Sequence, residues 1–241
     1  MKLLWDNERM KEQEGKNSQS SNRIYRRMKE RFERQVKIEP EEWISQMDWQ
    51  GFSGRTILGI DGFSRTGKTK LSKELEAHLR EQGLAVLVFH IDDFIVEKKR
   101  RYGTGLEEWQ EYYFLQWEAE HLAEFFFGQL KSAKQLDLWV YDADQDSQSL
   151  QTISLPAKGV ILVEGVFLQR KEWRRFFDGL VYLECPAEQR FLRESENMQA
   201  DRALLKRRYW KAETYYEEML KPVEQADWVL DSSTSKIGDA R

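Results

Sequence analysis

Gly62-Phe63-Ser64-Arg65-Thr66-Gly67-Lys68-Thr69 fits the pattern G-x-x-x-x-G-K-[ST], a complete phosphate-binding loop. Its flanks fit as well. Thr56-Ile57-Leu58-Gly59-Ile60 before it reads as a buried strand. Lys68 to Gln82 after it reads as a helix with Leu71, Leu75 and Leu79 on one stripe. Strand, loop and helix in that order give the motif its physical meaning. Gly62 and Gly67 let the backbone wrap an anion closely, so that successive N–H groups point inward. The helix N-terminus adds partial positive charge. Lys68 is placed to reach the β/γ-phosphates of a nucleotide, and the Thr69 hydroxyl to hold Mg²⁺. Phe63, Ser64, Arg65, Thr66 and Lys70 complete the stretch expected to contact the nucleotide. The alternative, a glycine turn whose Lys-Thr merely begins a helix, is the weaker account with both flanks in place.

From Thr56 onward apolar runs alternate with helical patterns, which predicts a parallel sheet with helices on both faces. Strands are expected at 56–60, 85–91, 159–163, 179–184 and 227–230, with a shorter candidate at 138–141. Ala85–Ile91 and Gly159–Val163 are continuous apolar runs of the kind buried on both faces. Helices are expected near 67–82, 107–127, 170–177, 186–196 and 201–220.

Ligands of open α/β sheets bind outside the carboxyl ends of the strands. Two of the expected strands end there in acids, at Asp92-Asp93-Phe94 and at Glu164-Gly165. Phosphoryl transfer needs an acid to orient or deprotonate the attacking hydroxyl and others to hold the metal. Strand alternation turns Asp92 and Asp93 to opposite faces, so only one is expected to serve. A single acid at a strand end is usually a loop charge; two beside a phosphate loop favour chemistry. The chain has no Asn-Lys-x-Asp tetrapeptide for reading guanine. The third strand ends in one acid and a glycine rather than the Asp-Glu typical of motor ATPases, which favours a small-molecule kinase.

The first 53 residues read as a helical appendage with a flexible start, and 54–241 as the catalytic domain. Gly15–Ser21 is polar. From Arg23 to about Lys37 a helix places Ile24, Met28, Phe32 and Val36 on one face, against Arg23, Arg26, Arg27, Lys29, Arg31, Arg34 and Lys37 on the other. The apolar stripe needs a partner, either the domain's own surface or a second copy of the chain. The basic face suits a solvated surface better than nucleic acid. With 40% hydrophobic residues the 241-residue chain can build a large core, and a net charge of −4 makes it no general polyanion binder. The single cysteine, Cys185, excludes an internal disulfide and suits a reducing cytoplasm. The apolar stretch at the start is too short for a signal sequence, and no window approaches a membrane span.

Four stretches in order, Gly62–Thr69, Asp92-Asp93-Phe94, Glu164-Gly165-Val166 and the basic segment ending near Asp231, resemble the uridine kinase/phosphoribulokinase family, particularly its bacterial uridine-kinase-like branch. The resemblance covers about residues 56–231. It implies a three-layer P-loop α/β fold with a parallel sheet of about five strands and a helical lid at about 190–210. It also implies use of ATP and Mg²⁺, with Asp92 near the acceptor hydroxyl and the metal, and Thr69 and Glu164 as further metal ligands. Gly103–Trp109 and Tyr112–Glu118 fall where the family shapes its acceptor pocket, which makes Tyr112, Tyr113 and Trp117 candidates for the acceptor wall. Gln110-Glu111 and Trp117-Glu118 depart from the family's Gly-Tyr-Tyr and Phe-Asp pattern there. Of the lid arginines, Arg193 is the expected catalytic cation; Arg190, Arg202, Arg207 and Arg208 read equally well as a salt-bridged helical surface. The run Lys98-Lys99-Arg100-Arg101 near the acceptor strand reads either as a solvated loop or as a field attracting an acidic acceptor.

The expected activity is Mg²⁺-dependent transfer of the γ-phosphoryl group of ATP to a hydroxyl of a nucleoside or related metabolite. A nucleotide-binding regulatory ATPase and a nucleic-acid-associated ATPase are the alternatives.

Overall fold

The computed structural model describes residues 38–47, 49 and 54–233. The expected polar stretch 15–21 and the basic helix 23–37, with its stripe Ile24, Met28, Phe32 and Val36, lie outside the described residues.

A short helix α1 (Pro40–Gln46) precedes β1 (Arg55–Gly62), the phosphate loop and α2 (Lys68–Glu81). Next come β2 (Val86–His90), a 3-10 turn at Ile91–Phe94, α3 (Glu108–Phe114) and α4 (Ala119–Phe125). The antiparallel hairpin β3 (Gln135–Asp142) and β4 (Ser147–Ser154) leads to β5 (Gly159–Gly165) and β6 (Gly179–Glu184). α5 (Ala187–Leu192), α6 (Glu196–Ala200), α7 (Lys211–Leu220) and β7 (Trp228–Asp231) close the described chain.

The main sheet has five parallel strands in the order β2-β5-β1-β6-β7, with β1 between β5 and β6. Every residue of β1 and of β5 is buried, as continuous apolar strands require. Alternation along β5 divides the core: Ile161 and Val163 face a cluster with Phe89, Phe126, Phe167 and Trp173, while Val160 and Leu162 face one with Leu71, Leu75 and Leu79 of α2. Trp43 of α1 belongs to this second cluster and packs edge-on against Trp228 of β7 at 5.7 Å. Residues 38–47 and Trp49 therefore complete the core on the α2 side of the sheet.

Three expected elements differ. The single helix at 107–127 is two helices. α3 starts on a capping box, in which Glu107 and Gln110 satisfy each other's backbone N–H groups. It ends before Trp117, whose indole turns inward and donates to the Ile91 carbonyl at 2.8 Å. An unbroken aromatic run carries no Gly or Pro to mark such a stop. The helix at 170–177 shrinks to a 3-10 turn, Arg174–Phe176. There Arg170 buries its guanidinium against the rings of Tyr113 and Trp173, each at 4.8 Å, so tertiary contacts rather than helical periodicity hold the segment. The strand candidate at 138–141 is half of the hairpin. β4, rich in Ser and Gln and largely exposed, lacks the apolar alternation that would reveal it.

Candidate active site

The phosphate loop leaves β1 at Gly62 and enters α2 after Gly67, whose φ of 98° lies in the left-handed region. No side chain caps this helix, so its first N–H groups stay available to an anion. Lys68 folds back to donate from Nζ to the Phe63 carbonyl at 2.8 Å, and the Thr66 hydroxyl donates to the same oxygen at 2.9 Å. Lys70 points away, toward Glu41 at 3.2 Å and Glu74 at 3.4 Å. Arg65 pairs with Glu194 at 2.9 Å.

Parallel pairing sets the acids beside the loop. His90 of β2 and Glu164 of β5 are register partners. Glu164 Oε1 accepts the Thr69 hydroxyl at 3.0 Å and lies 2.6 Å from His90 Nδ1. Burial works to raise the Glu164 carboxyl, but the His90 hydrogen bond, the Lys68 charge and the Thr69 hydroxyl outweigh it and hold the group below its ordinary value. The His90 imidazole is raised, chiefly by that same hydrogen bond. His90 was not singled out in the sequence; its position at the end of the strand neighbouring Glu164 was the available signal.

Gly165 makes room for the second acid. A Cβ there would lie 2.0 Å from Ile91 Cγ2, so only glycine lets the Ile91–Phe94 turn seat against β5. Asp92 and Asp93 sit in that 3-10 turn, not on a strand, so the strand alternation invoked to separate them does not apply. Electrostatics separates them instead. The Asp92 carboxyl opens to solvent yet is ringed by protein: desolvation pushes it up to about 6, against the pull of Lys68, with Glu164 and Asp93 adding to the rise. Asp93 is raised too, by desolvation first, and the Lys68 charge is not among the influences on it.

Among the aromatic candidates, Tyr113 and Trp117 are buried in the core. Tyr112 faces the acids: burial and then the Asp92 charge raise its phenol well above the usual range. Its ring meets Phe167 at 5.5 Å and Tyr209 at 4.8 Å. The lid arginines divide similarly. Arg193 grips carbonyls, with Nη1 on Arg65 at 3.1 Å and Nη2 on Ser232 at 2.8 Å. Arg202 stacks over Phe191 at 4.8 Å. The lid docks on α3 through Arg207–Glu108 at 2.8 Å and through a Lys211–Glu107 ion pair.

The donors suit nucleotide and magnesium. A hydroxyl and carboxylates are hard oxygen ligands, and Mg²⁺ is usually held by one or two carboxylates together with substrate phosphates and waters. Among the described residues no three His, Cys, Asp or Glu side chains form a closed metal cage. No helix among them is long and apolar enough to cross a membrane.

A central β1 feeding a phosphate loop, with acids on the adjoining strand ends, defines a P-loop kinase fold. No protein-family model matches the chain. A possible uridine kinase of known structure from Bacillus stearothermophilus is 48% identical, covering 80% of this chain and 97% of that one, with a TM-score of 0.69. Uridine kinases of Staphylococcus aureus strains are 31% identical over 141 residues, 57% of this chain and 66% of theirs, so the match spans slightly under two thirds of those relatives. A candidate fructose transport system kinase from Silicibacter sp. TM1040, 22% identical with a TM-score of 0.62 over 79% of this chain and 96% of that one, shares the fold. The chain belongs to the uridine-kinase-like P-loop kinases.

Proposed function

We propose that the protein transfers the γ-phosphoryl group of ATP to a hydroxyl of a small molecule, with Thr69, Glu164 and Asp92 as the residues that would hold Mg²⁺. The observation that carries this reading is the contact of Thr69 Oγ1 with Glu164 Oε1, which joins the phosphate loop to a strand-end acid within the electric field of Lys68. Bound magnesium would neutralise charge on the phosphates. The loop amides and Lys68 bind and orient them; Lys68 does so by exchanging the Phe63 carbonyl for phosphate oxygen. Asp92, in the turn that follows β2, accepts the proton of the attacking hydroxyl. Tyr112 forms part of the acceptor wall, while Tyr113 and Trp117 support it from the core. Arg193 positions the loop through the Arg65 carbonyl and would reach a phosphoryl group only on leaving Ser232. The acceptor is a nucleoside or a related metabolite, and a cytoplasmic setting rests on the single cysteine.

ADP release measured across nucleosides, sugars, hydroxy acids and sugar phosphates tests the reading. Stimulation by one class supports it, and equal slow release with every compound points instead to a regulatory ATPase. Lys68→Ala should abolish stimulated release while far-UV circular dichroism stays unchanged. Undiminished turnover in that variant overturns the assignment.

A further inference from the structure

We propose that the acceptor carries an anionic group, a carboxylate or a phosphate ester, which docks on the Nε–Nη2 edge of Arg208. The inference rests on the kinase reading above and names the acceptor's chemical class. Arg208 belongs to a π-helical turn, Leu205–Trp210, in the middle of the lid, and is 2% exposed. Such turns within helices often mark functional sites. Its Nη1 is used, donating to the Glu108 carbonyl at 3.2 Å and to Glu111 Oε2 at 3.4 Å. Its Nε and Nη2 are closed to water and make no hydrogen bond of ordinary distance and angle among the described residues, with the Tyr209 hydroxyl close to the guanidinium. These two groups share one edge of the guanidinium and point the same way, spaced for both oxygens of a single carboxylate or phosphate.

Glu111 is an incomplete counter-ion. Its other oxygen already accepts the backbone N–H and the hydroxyl of Thr104, at 2.8 and 3.0 Å, and its contact with Arg208 is single and long. A buried guanidinium with two unused donors lacks the full set of partners that burial demands. A neutral acceptor would leave that deficit standing; an oxyanion removes it.

The surroundings of this guanidinium include Tyr112, the candidate for the acceptor wall. The Arg208 guanidinium lies 4.2 Å from the centre of the Tyr102 ring and 5.7 Å from that of Tyr112. Tyr112 in turn lies within the field of Asp92. Tyr112 thus neighbours the Arg208 guanidinium and feels the Asp92 charge. Arg101, also buried, donates to the Tyr102 hydroxyl at 3.1 Å, which fixes that ring over Arg208. The neighbouring Lys98, Lys99 and Arg100 are exposed, but Arg100 is paired with Glu118 at 2.6 Å and Lys99 lies 4.0 Å from Glu97, so the anion would be held by Arg208 itself.

The test is direct binding, by titration calorimetry, of matched probes to the full-length protein saturated with Mg²⁺ and a non-hydrolysable ATP analogue. The pairs are glycerol with glycerate and glycerol 3-phosphate, ribose with ribose 5-phosphate, and uridine with uridine 5′-monophosphate. The proposal expects at least one anionic probe to bind ten-fold or more tighter than its neutral partner. Arg208→Gln should erase that preference with the ATP analogue bound as before. Arg208→Lys, which keeps the charge facing Glu111 but lacks the two-donor edge, should lose it by a similar factor and guards against misfolding of the Gln variant. The carboxylate and phosphate arms tell the two anions apart. Neutral probes binding as tightly as every anionic one, Arg208→Lys binding as the natural protein does, or a loss of nucleotide affinity in either variant overturns the proposal. Binding that follows this pattern without any ADP release on ATP would leave the anion site standing and overturn the kinase reading instead.

Discussion

Arg190 and Glu213 are joined by two hydrogen bonds of 2.9 Å each, directly beneath the phosphate loop. Both side chains are at least nine-tenths buried. Arg190 Nε also donates to the Cys185 carbonyl at 3.2 Å, and its guanidinium sits 5.0 Å from the Phe63 ring centre. The pair therefore ties α5 and α7 to the loop. Glu213→Ala leaves a buried cation without its partner and is expected to cost about 3–5 kcal/mol. Replacing both residues by apolar ones of similar size should cost less than either single change. Urea unfolding of the three variants checks this; a single-variant loss within experimental error would show that water reaches the pair.

Asp61, one residue before the loop, is fully buried and has no basic partner among the described residues. It accepts hydrogen bonds from the Tyr216 hydroxyl at 2.6 Å, the Gly62 amide at 2.8 Å and Gln169 Nε2 at 3.1 Å. Burial raises its carboxyl above the ordinary value, and these bonds only partly oppose the rise. The folded state then holds the proton more tightly than the unfolded chain. Its contribution to stability is full below the unfolded value, near 4, and declines as pH rises toward the raised folded value. Asp61→Asn should remove that share of the slope, although it costs about 1–3 kcal/mol through mismatched donors. Unfolding free energies of both proteins from pH 4 to 8 decide it. Parallel curves would mean that Asp61 titrates normally.

The sheet and the loop were legible because local chemistry alone specifies them: apolar runs make β1 and β5, and the spacing of Gly62, Gly67 and Lys68 makes the cradle. Long-range contacts were not legible. Trp117 and Tyr113 read as acceptor wall from the family resemblance, but the Ile91 carbonyl and Arg170 draw them into the core. Arg190 and Arg208 resemble surface charges in a Glu- and Arg-rich segment; that each is buried depends on Glu213 in α7 and Glu111 in α3, which only the fold brings close. His90 acquires its meaning from register with Glu164, which one strand alone does not reveal.

Asp92→Asn is expected to lower acceptor-dependent ADP release by about 100-fold or more, in line with the loss of a general base, with little change in nucleotide affinity. Asn retains the size of the side chain but cannot take the proton. Asp93→Asn should be milder, because the Lys68 charge that acts on Asp92 is not among the influences on Asp93. Steady-state kinetics with nucleotide binding on both variants gives the comparison. An inactive Asp93→Asn beside an active Asp92→Asn would reverse the two roles.

Trp43 is fully buried, with Trp49 at 5.6 Å and Trp228 at 5.7 Å between ring centres. Ile38 adds a parallel bridge to Leu230 at the edge of the main sheet. Ile38 and Trp43, with Trp49 packed on Trp43, thus cover β7, whereas the loop and the strand-end acids lie on elements that follow them. Trp43→Ala should cost about 3–5 kcal/mol of unfolding free energy, as large aromatic truncations in cores do. Affinity for an ATP analogue should stay within a few-fold of the natural protein's at a temperature where the variant remains folded. A chain beginning at residue 54 should unfold at lower denaturant than one beginning at residue 38, because it lacks Trp43 and Trp49. Equal midpoints for those two chains would show that the segment adds nothing to the fold. Loss of nucleotide binding in folded Trp43→Ala would show that it completes the site.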